Sequence, residues 1–214
     1  MEITYLGHSA FRIKGKKTSI VTDPFDPAVT GFKIPSVQAD IVTVSHEHKD
    51  HNNIKAVSGE PLVISGPGEY EVKGVRITGL RTYHDNTKGG ERGYNTVYRI
   101  EIDNVAIVHL GDLGHKLSDK EIEILDGVDI LMIPVGGTYT INAAEAVEVI
   151  SHLEPKVIIP MHYKSDKHKN DDGEKLDELS VFLKEMGKEG LAPVPKLVIS
   201  KDKLPLESMV VIFE

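Results

Sequence analysis

The stretch Ser45-His46-Glu47-His48-Lys49-Asp50-His51 puts three of the chain's ten histidines beside an aspartate. Imidazole and carboxylate are donors for zinc, manganese or iron and suit calcium or magnesium far less. In extended backbone, side chains at i and i+2 point the same way, so His46 and His48 would converge on one ion. Asp50 and His51 then fall on a turn that brings two more donors near the first pair, a spacing suited to a second ion. The plain alternative is a polar loop that happens to be rich in histidine. The chain has no cysteine, so any metal is held by nitrogen and oxygen. The same absence excludes disulfide frameworks, thiolate fingers and cysteine nucleophiles.

The elements that must position this cluster can be read from the pattern around it. Runs 2–6, 10–14 and 18–22, separated by Gly7 and by Gly15-Lys16-Lys17, predict a strand meander, and the run 40–44 leads straight into the histidines. Further strands are predicted at 61–65, 69–73, 75–82, 96–102 and 104–110, with Asp103-Asn104 as a tight turn. Beyond residue 115 strands alternate with helices. Ser118 with Glu121, and Asn142 with Glu145, have capping-box spacing. Leu176, Leu179, Phe182, Leu183 and Met186 mark the apolar face of a third helix, opposite Glu174, Asp177, Glu178 and Lys184, with Gly187 or Gly190 to end it. Runs 129–134, 156–161 and 196–200 read as strands buried on both faces. No linker divides residues 1–214, so one α/β domain with sheets covered by helices is expected.

The cluster resembles the signature of the metallo-β-lactamase superfamily, which His46, His48, Asp50 and His51 match in full. Three later positions fit the family's order: His84 in Thr-Tyr-His-Asp, Asp112 in His-Leu-Gly-Asp-Leu-Gly-His and His162 in Ile-Pro-Met-His-Tyr. The resemblance implies a four-layer αββα sandwich with the site at the edge where two sheets meet. It implies two divalent ions, zinc first with manganese or iron as alternatives. His46, His48 and His84 would hold one ion, Asp50, His51 and His162 the other, and Asp112 would bridge them. His109 and His115 compete with His84 for the third place at the first ion. The opening Tyr-Leu-Gly-His-Ser-Ala-Phe, with Thr-Asp-Pro-Phe at Asp23 and the stretch from Pro134, resembles the branch that contains sugar-phosphate (ascorbate-6-phosphate) lactonases. In that branch His8 would face the site.

Two ions sharing a water would bring its pKa toward neutrality and so favour hydrolysis. In this reading Asp50 orients the nucleophile while ligating, and a protonated His8 or His115 is the general acid. His152 and His168 look structural or solvated. The glycine-rich loop 85–95 reads as a mobile flap or, more plainly, as a hairpin loop. Arg81, Arg92, Lys164, Lys167 and Lys169 could hold an anionic substrate group, although a solvated face is the commoner meaning of such a run.

Composition limits the partners. A formal charge of −8 is unsuited to a broad grip on nucleic acid. No window reaches the ~18 apolar residues of a membrane span, and Met1-Glu2-Ile3 does not open a secretion signal, so a cytoplasmic protein with no membrane partner is expected. The expected partner is a small-molecule substrate, anionic by first preference, and a homo-oligomer is left open. The rivals are a phosphodiesterase or nuclease on the same metal set, and a non-catalytic metal-binding module. Redox use of a di-iron pair would need an electron donor, and the chain has no visible flavin domain.

Overall fold

The computed structural model describes residues 1–168, 173 and 175–214. Two mixed sheets stack face to face. The first runs β14 (Leu197–Val198), β1 (Glu2–Gly7), β2 (Ala10–Lys14), β3 (Ser19–Thr22), β5 (Ile41–Thr43), β7 (Leu62–Ile64). The second runs β15 (Met209–Val210), β13 (Val157–Met161), β12 (Ile130–Pro134), β11 (Val105–His109), β10 (Tyr94–Ile102), β9 (Val75–Tyr83), β8 (Gly68–Val72). Hairpins make β1–β3 and β8–β11 antiparallel. The pairs β3/β5, β5/β7, β11/β12 and β12/β13 are parallel. Between β10 and β11, Asp103 and Asn104 both take positive φ, as a tight turn of the expected kind requires.

Each core layer follows from alternation. Ile3, Phe11, Ile13, Ile20 and Ile41 from the first sheet meet Ile77, Ile100, Ile107, Ile130 and Ile159 from the second, filling the space between sheets. The intervening residues Val108, Leu131, Ile133 and Ile158 face outward under helices α2 (Asp119–Leu125), α3 (Ala143–Leu153) and α4 (Leu179–Glu185). Burial on both faces explains why these strands read as unbroken apolar runs. Capping boxes at Ser118/Glu121 and Asn142/Glu145 start α2 and α3 where the spacing predicted.

Three expectations are corrected. The third helix begins at Leu179, because Asp177 N donates to Gly136 O and Asp177 O accepts from Lys164 N, leaving neither group for a helical turn. Of the predicted face, Glu174 lies outside the described residues. The run 196–200 is not buried on both faces: β14 is a short edge strand, and Val198 is 67% exposed. The layer over the first sheet is thin. There Val21, Val42, Phe25 and Phe32 are covered by the four-residue α1 (Pro27–Thr30), a 3₁₀ turn at Ile54–Ala56 and the parallel ribbon of β4 (Val37–Gln38) with β6 (Val57–Ser58).

Two cross-links hold the sheets together beside the histidines. Tyr98 sends its buried hydroxyl across from β10, accepting from Gly66 N at 2.8 Å and donating to Val44 O at 2.9 Å, with Ile64 O at 3.1 Å. Thr96 N donates to Ser45 O at 2.8 Å. Among the described residues no helix is long and apolar enough to cross a membrane.

Candidate metal centre

The site gathers at the ends of strands from both sheets. After β5 the chain bends rather than continuing extended, yet the His46 and His48 rings still stand 4.6 Å apart, and His84 follows β9 at 4.6 Å from His46. Asp112 follows β11 and His162 follows β13. Gly111 makes the approach of Asp112 feasible. Its φ is +54°, and a Cβ there would sit 2.4 Å from Asn95 Oδ1 and 2.6 Å from Ser45 Cβ. Asn95 Oδ1 accepts from Asp112 N at 3.0 Å, while its amide donates to Leu110 O at 2.9 Å.

Four imidazoles converge on one carboxylate oxygen. Asp112 Oδ2 lies 3.2 Å from His162 Nε2, 3.3 Å from His51 Nε2, 3.4 Å from His84 Nε2 and 3.8 Å from His46 Nε2. Donors sharing an ion at ~2.1 Å each lie within about 4.2 Å of one another, so these separations suit a shared ion. Three sets have ligand atoms within 4.8 Å of one another: His46, His48 and His84; His46, His51 and Asp112; and His8, Asp50, His51 and His162. The structure thus puts His84, not His109, beside His46 and His48. His109 spends both nitrogens elsewhere, donating from Nε2 to Ser9 O at 2.8 Å and accepting Gly111 N on Nδ1 at 3.2 Å.

A buried carboxylate behind the cluster sets the tautomers. Asp23, fully buried, accepts from Ser45 N at 2.8 Å, Ser45 Oγ at 2.6 Å and His51 Nδ1 at 2.9 Å. His46 Nδ1 lies 2.9 Å from the same Ser45 Oγ. With the hydroxyl proton committed to Asp23, His46 donates from Nδ1, and once His51 has lost its extra proton both rings would present a bare Nε2 to a bound cation. Those Nε2 atoms, together with Asp112 Oδ1, are buried and have no hydrogen-bond partner among the described residues. An unpaired buried polar atom costs roughly 1–3 kcal/mol, so several in one place fit a divalent cation and not a packed core.

The charges point the same way. Burial alone would raise Asp112 and Asp50, but His162 and His51 outweigh it at Asp112, and His51 and His8 do so at Asp50, holding both well below the carboxylate range. Burial lowers His46 and His84, which are therefore neutral donors at neutral pH. At His51 burial is outweighed by Asp112 and Asp50, and its pKa is raised well above the usual imidazole value.

The proposed acids fare differently. His8 sits in the β1–β2 turn with φ +55°, its Nε2 3.3 Å from Asp50 Oδ2. Burial and the neighbouring His162 lower its pKa to about 4, which favours a neutral ring over the protonated His8 expected from the sequence. His115 stands outside the cluster. Its contacts are Lys116 O at 2.8 Å, Glu121 Oε1 at 3.9 Å and the Tyr83 ring at 5.3 Å.

A cavity of ≈ 350 Å³ opens over the centre, walled by Val29, Thr30, Arg92, Tyr139, His168 and Leu176 around His8, His48, Asp50, His84, Asp112 and His162. The sequence reading missed His168, whose Nε2 is 3.4 Å from His8 Nδ1 and whose Nδ1 accepts from Ser165 N. Lys164 and Lys167 are exposed, the solvated alternative, and Lys169 lies outside the described residues. The loop after His84 is bonded within itself. The Asp85 carboxylate accepts from Thr87 N, Thr87 Oγ1, Gly89 N, Glu91 N and Arg92 N, winding the loop around itself.

Residues 2–162 match the family model described as the Beta-lactamase superfamily domain. The chain belongs to the metallo-β-lactamase superfamily. It is 31% identical over 194 residues to a metal-dependent hydrolase of Thermococcus onnurineus, covering 77% of this chain and 85% of the relative. A metal-dependent hydrolase of Pelotomaculum thermopropionicum is 31% identical over 201 residues, with the same coverage. A Thermotoga maritima crystal structure, assigned to the superfamily as a Zn-dependent hydrolase, is 40% identical with a TM-score of 0.82, covering 99% of this chain and 97% of the other. This superfamily member is a metal-dependent hydrolase with a candidate His/Asp site for the metal. The relatives carry that broad name, and none of these three names the lactonase branch.

Proposed function

We propose that this hydrolase acts on small esters, lactones or phosphoesters through a pair of divalent cations, zinc by first preference. The convergence of four imidazole nitrogens on Asp112 Oδ2 carries the reading. His46, His48 and His84 would hold one cation, Asp50, His51 and His162 the other, with Asp112 between them. When bound, such a pair supplies Lewis acidity and a water acidified toward neutral pH.

The chain's own groups do the rest. Asp112 is 3% exposed and serves as a fixed counter-charge, whereas Asp50, with 28% of its side chain exposed and on the cavity wall, is the carboxylate a substrate and its water can reach. Asp50 therefore orients the attacking water while it ligates. His8, neutral and 3.3 Å from Asp50, steadies that carboxylate. Val29 and Leu176 add apolar surface to the cavity wall. A volume of ≈ 350 Å³ lies at the lower end of small-molecule sites and disfavours a polymer substrate.

The test is a panel of aryl esters, lactones and bis-aryl phosphate on metal-reconstituted protein, with Asp50→Asn alongside. Turnover of an ester or lactone that falls at least ~100-fold in Asp50→Asn supports the reading. Equal turnover by both proteins refutes the role of Asp50. Activity on the phosphodiester alone moves the substrate class to phosphodiesters. Fewer than two ions at saturation with no hydrolysis favours a structural metal.

A further inference from the structure

We infer that Arg92 is the specificity determinant of this site, a clamp for a carboxylate that the substrate carries away from its scissile bond. The inference rests on the hydrolase reading above and adds the substrate's charge and the residue that reads it.

The position of Arg92 is built rather than incidental. Its backbone N–H donates to the buried Asp85 carboxylate at 2.7 Å, so the loop that follows β9 and His84 is pinned at the point where Arg92 leaves it. Its guanidinium carbon stands 5.1 Å from the centre of the Tyr139 ring, which offers the face on which an arginine stacks. The ion pair with its sequence neighbour Glu91 is loose. Arg92 Nη1 is 3.8 Å from Glu91 Oε2, and the Glu91 side chain is 61% exposed. Exposed pairs of that kind contribute little and leave the guanidinium edge available to a better-placed anion.

Its surroundings state what that anion is. Among the described residues Arg92 is the one arginine or lysine on the wall of the cavity over the metal centre. The two carboxylates there, Asp50 and Asp112, already belong to the ligand set. One permanent positive charge balances one negative charge. A carboxylate, planar and singly charged, matches the guanidinium fork with two parallel hydrogen bonds. A doubly charged phosphate monoester would keep half its charge uncompensated. Arg92 also lines a neighbouring groove of ≈ 360 Å³ together with Tyr94 and Arg81, whose guanidinium lies 5.0 Å over the Tyr94 ring. Arg81 lines only that groove, which makes it the natural control.

The experiment measures affinity as well as turnover. Succinate, glutarate and butyrate are titrated by calorimetry into the zinc-loaded full-length protein, then into Arg92→Ala, Arg92→Gln and Arg81→Ala. Butyrate reports the metal centre alone, because it has one carboxylate. The expected result is that a dicarboxylate binds wild type at least ~10-fold more tightly than butyrate, a difference of about 1.4 kcal/mol. Both Arg92 variants should remove that difference and leave butyrate within about two-fold, while Arg81→Ala keeps the wild-type pattern. Butyrate affinity kept by both Arg92 variants excludes a folding defect. Turnover of mono-4-nitrophenyl glutarate against 4-nitrophenyl butyrate should show the same preference, confined to KM.

Dicarboxylates that bind wild type no better than butyrate overturn the clamp, as does an Arg92 substitution that weakens all three ligands alike. If the affinity pattern holds but neither ester is turned over, the clamp stands and the hydrolase reading falls.

Discussion

Replacing Asp23 by asparagine should disarm the metal centre without touching a ligand. Asp23 Oδ1 accepts Ser45 N, and Oδ2 accepts both Ser45 Oγ and His51 Nδ1. An asparagine that keeps the first bond turns its NH₂ toward the other two donors. His51 relieves the clash by moving its proton to Nε2, the atom that faces Asp112 at 3.3 Å. Ser45 relieves it by turning its hydroxyl to His46 Nδ1, 2.9 Å away, which moves the His46 proton to Nε2 as well. Two nitrogens that should carry lone pairs toward a cation then carry hydrogens. Loss of such an orienting partner lowers metal affinity about 10–100-fold, or roughly 1.4–2.7 kcal/mol. Two bonds to a buried carboxylate become neutral ones, so the metal-free protein should lose about 1–3 kcal/mol. For a domain of this size that is a fall in Tm of roughly 3–10 °C. A chelator-competition titration with zinc measures the affinity, and ¹⁵N imidazole shifts of the metal-free variant, taken above the His51 pKa, report the tautomers. Zinc affinity equal to wild type in a variant whose His51 has kept its Nδ1 proton would show that Asp23 does not set the donor atoms.

Three further outcomes follow from the same geometry. Gly111→Ala forces a Cβ to within 2.4 Å of Asn95 Oδ1 at a positive φ, and should cost at least ~2 kcal/mol and lower bound metal by elemental analysis; unchanged Tm and metal content would contradict this. Tyr98→Phe strands Gly66 N and the carbonyl of Val44, and should cost about 1–3 kcal/mol in chemical denaturation, with a change under ~0.5 kcal/mol counting against the cross-link. His51 has a raised pKa, so it is protonated at pH 7 in the metal-free protein and must lose that proton to bind a cation. Metal affinity should therefore rise with pH up to that pKa, by up to about tenfold per unit, and calorimetry in buffers of differing ionisation enthalpy should find about one proton released at pH 7. Binding with no proton release would place the His51 proton elsewhere.

The parts legible in the sequence are those governed by short-range pattern. The cluster from His46 to His51, the strands that alternate or run apolar, and both capping boxes depend on residues a few positions apart. The parts that were not legible depend on partners distant in the chain. His84 and His109 both end strands, and only the pairing of β11 with β10 and the reach of His109 to Ser9 separates a cluster member from a packing residue. His168 looked solvated because its partner, His8, belongs to the first hairpin. Asp23 stood in the Thr-Asp-Pro-Phe stretch of the resemblance and just after an apolar strand, the same setting as Asp112, but its pairing with His51 needs the folded sheet. The helix expected through residues 174–186 was shortened because Gly136 and Lys164 compete for the backbone of Asp177.

The donors to the cation site stand at or near strand ends and in the turn after β5, whereas Val29, Arg92, Tyr139 and Leu176 come from α1 and from loops. Reactivity and taste are thereby housed in different tissue of the molecule. Descendants of such a gene can exchange one diet for another by rewriting surface connections, and the engine beneath passes through each exchange intact.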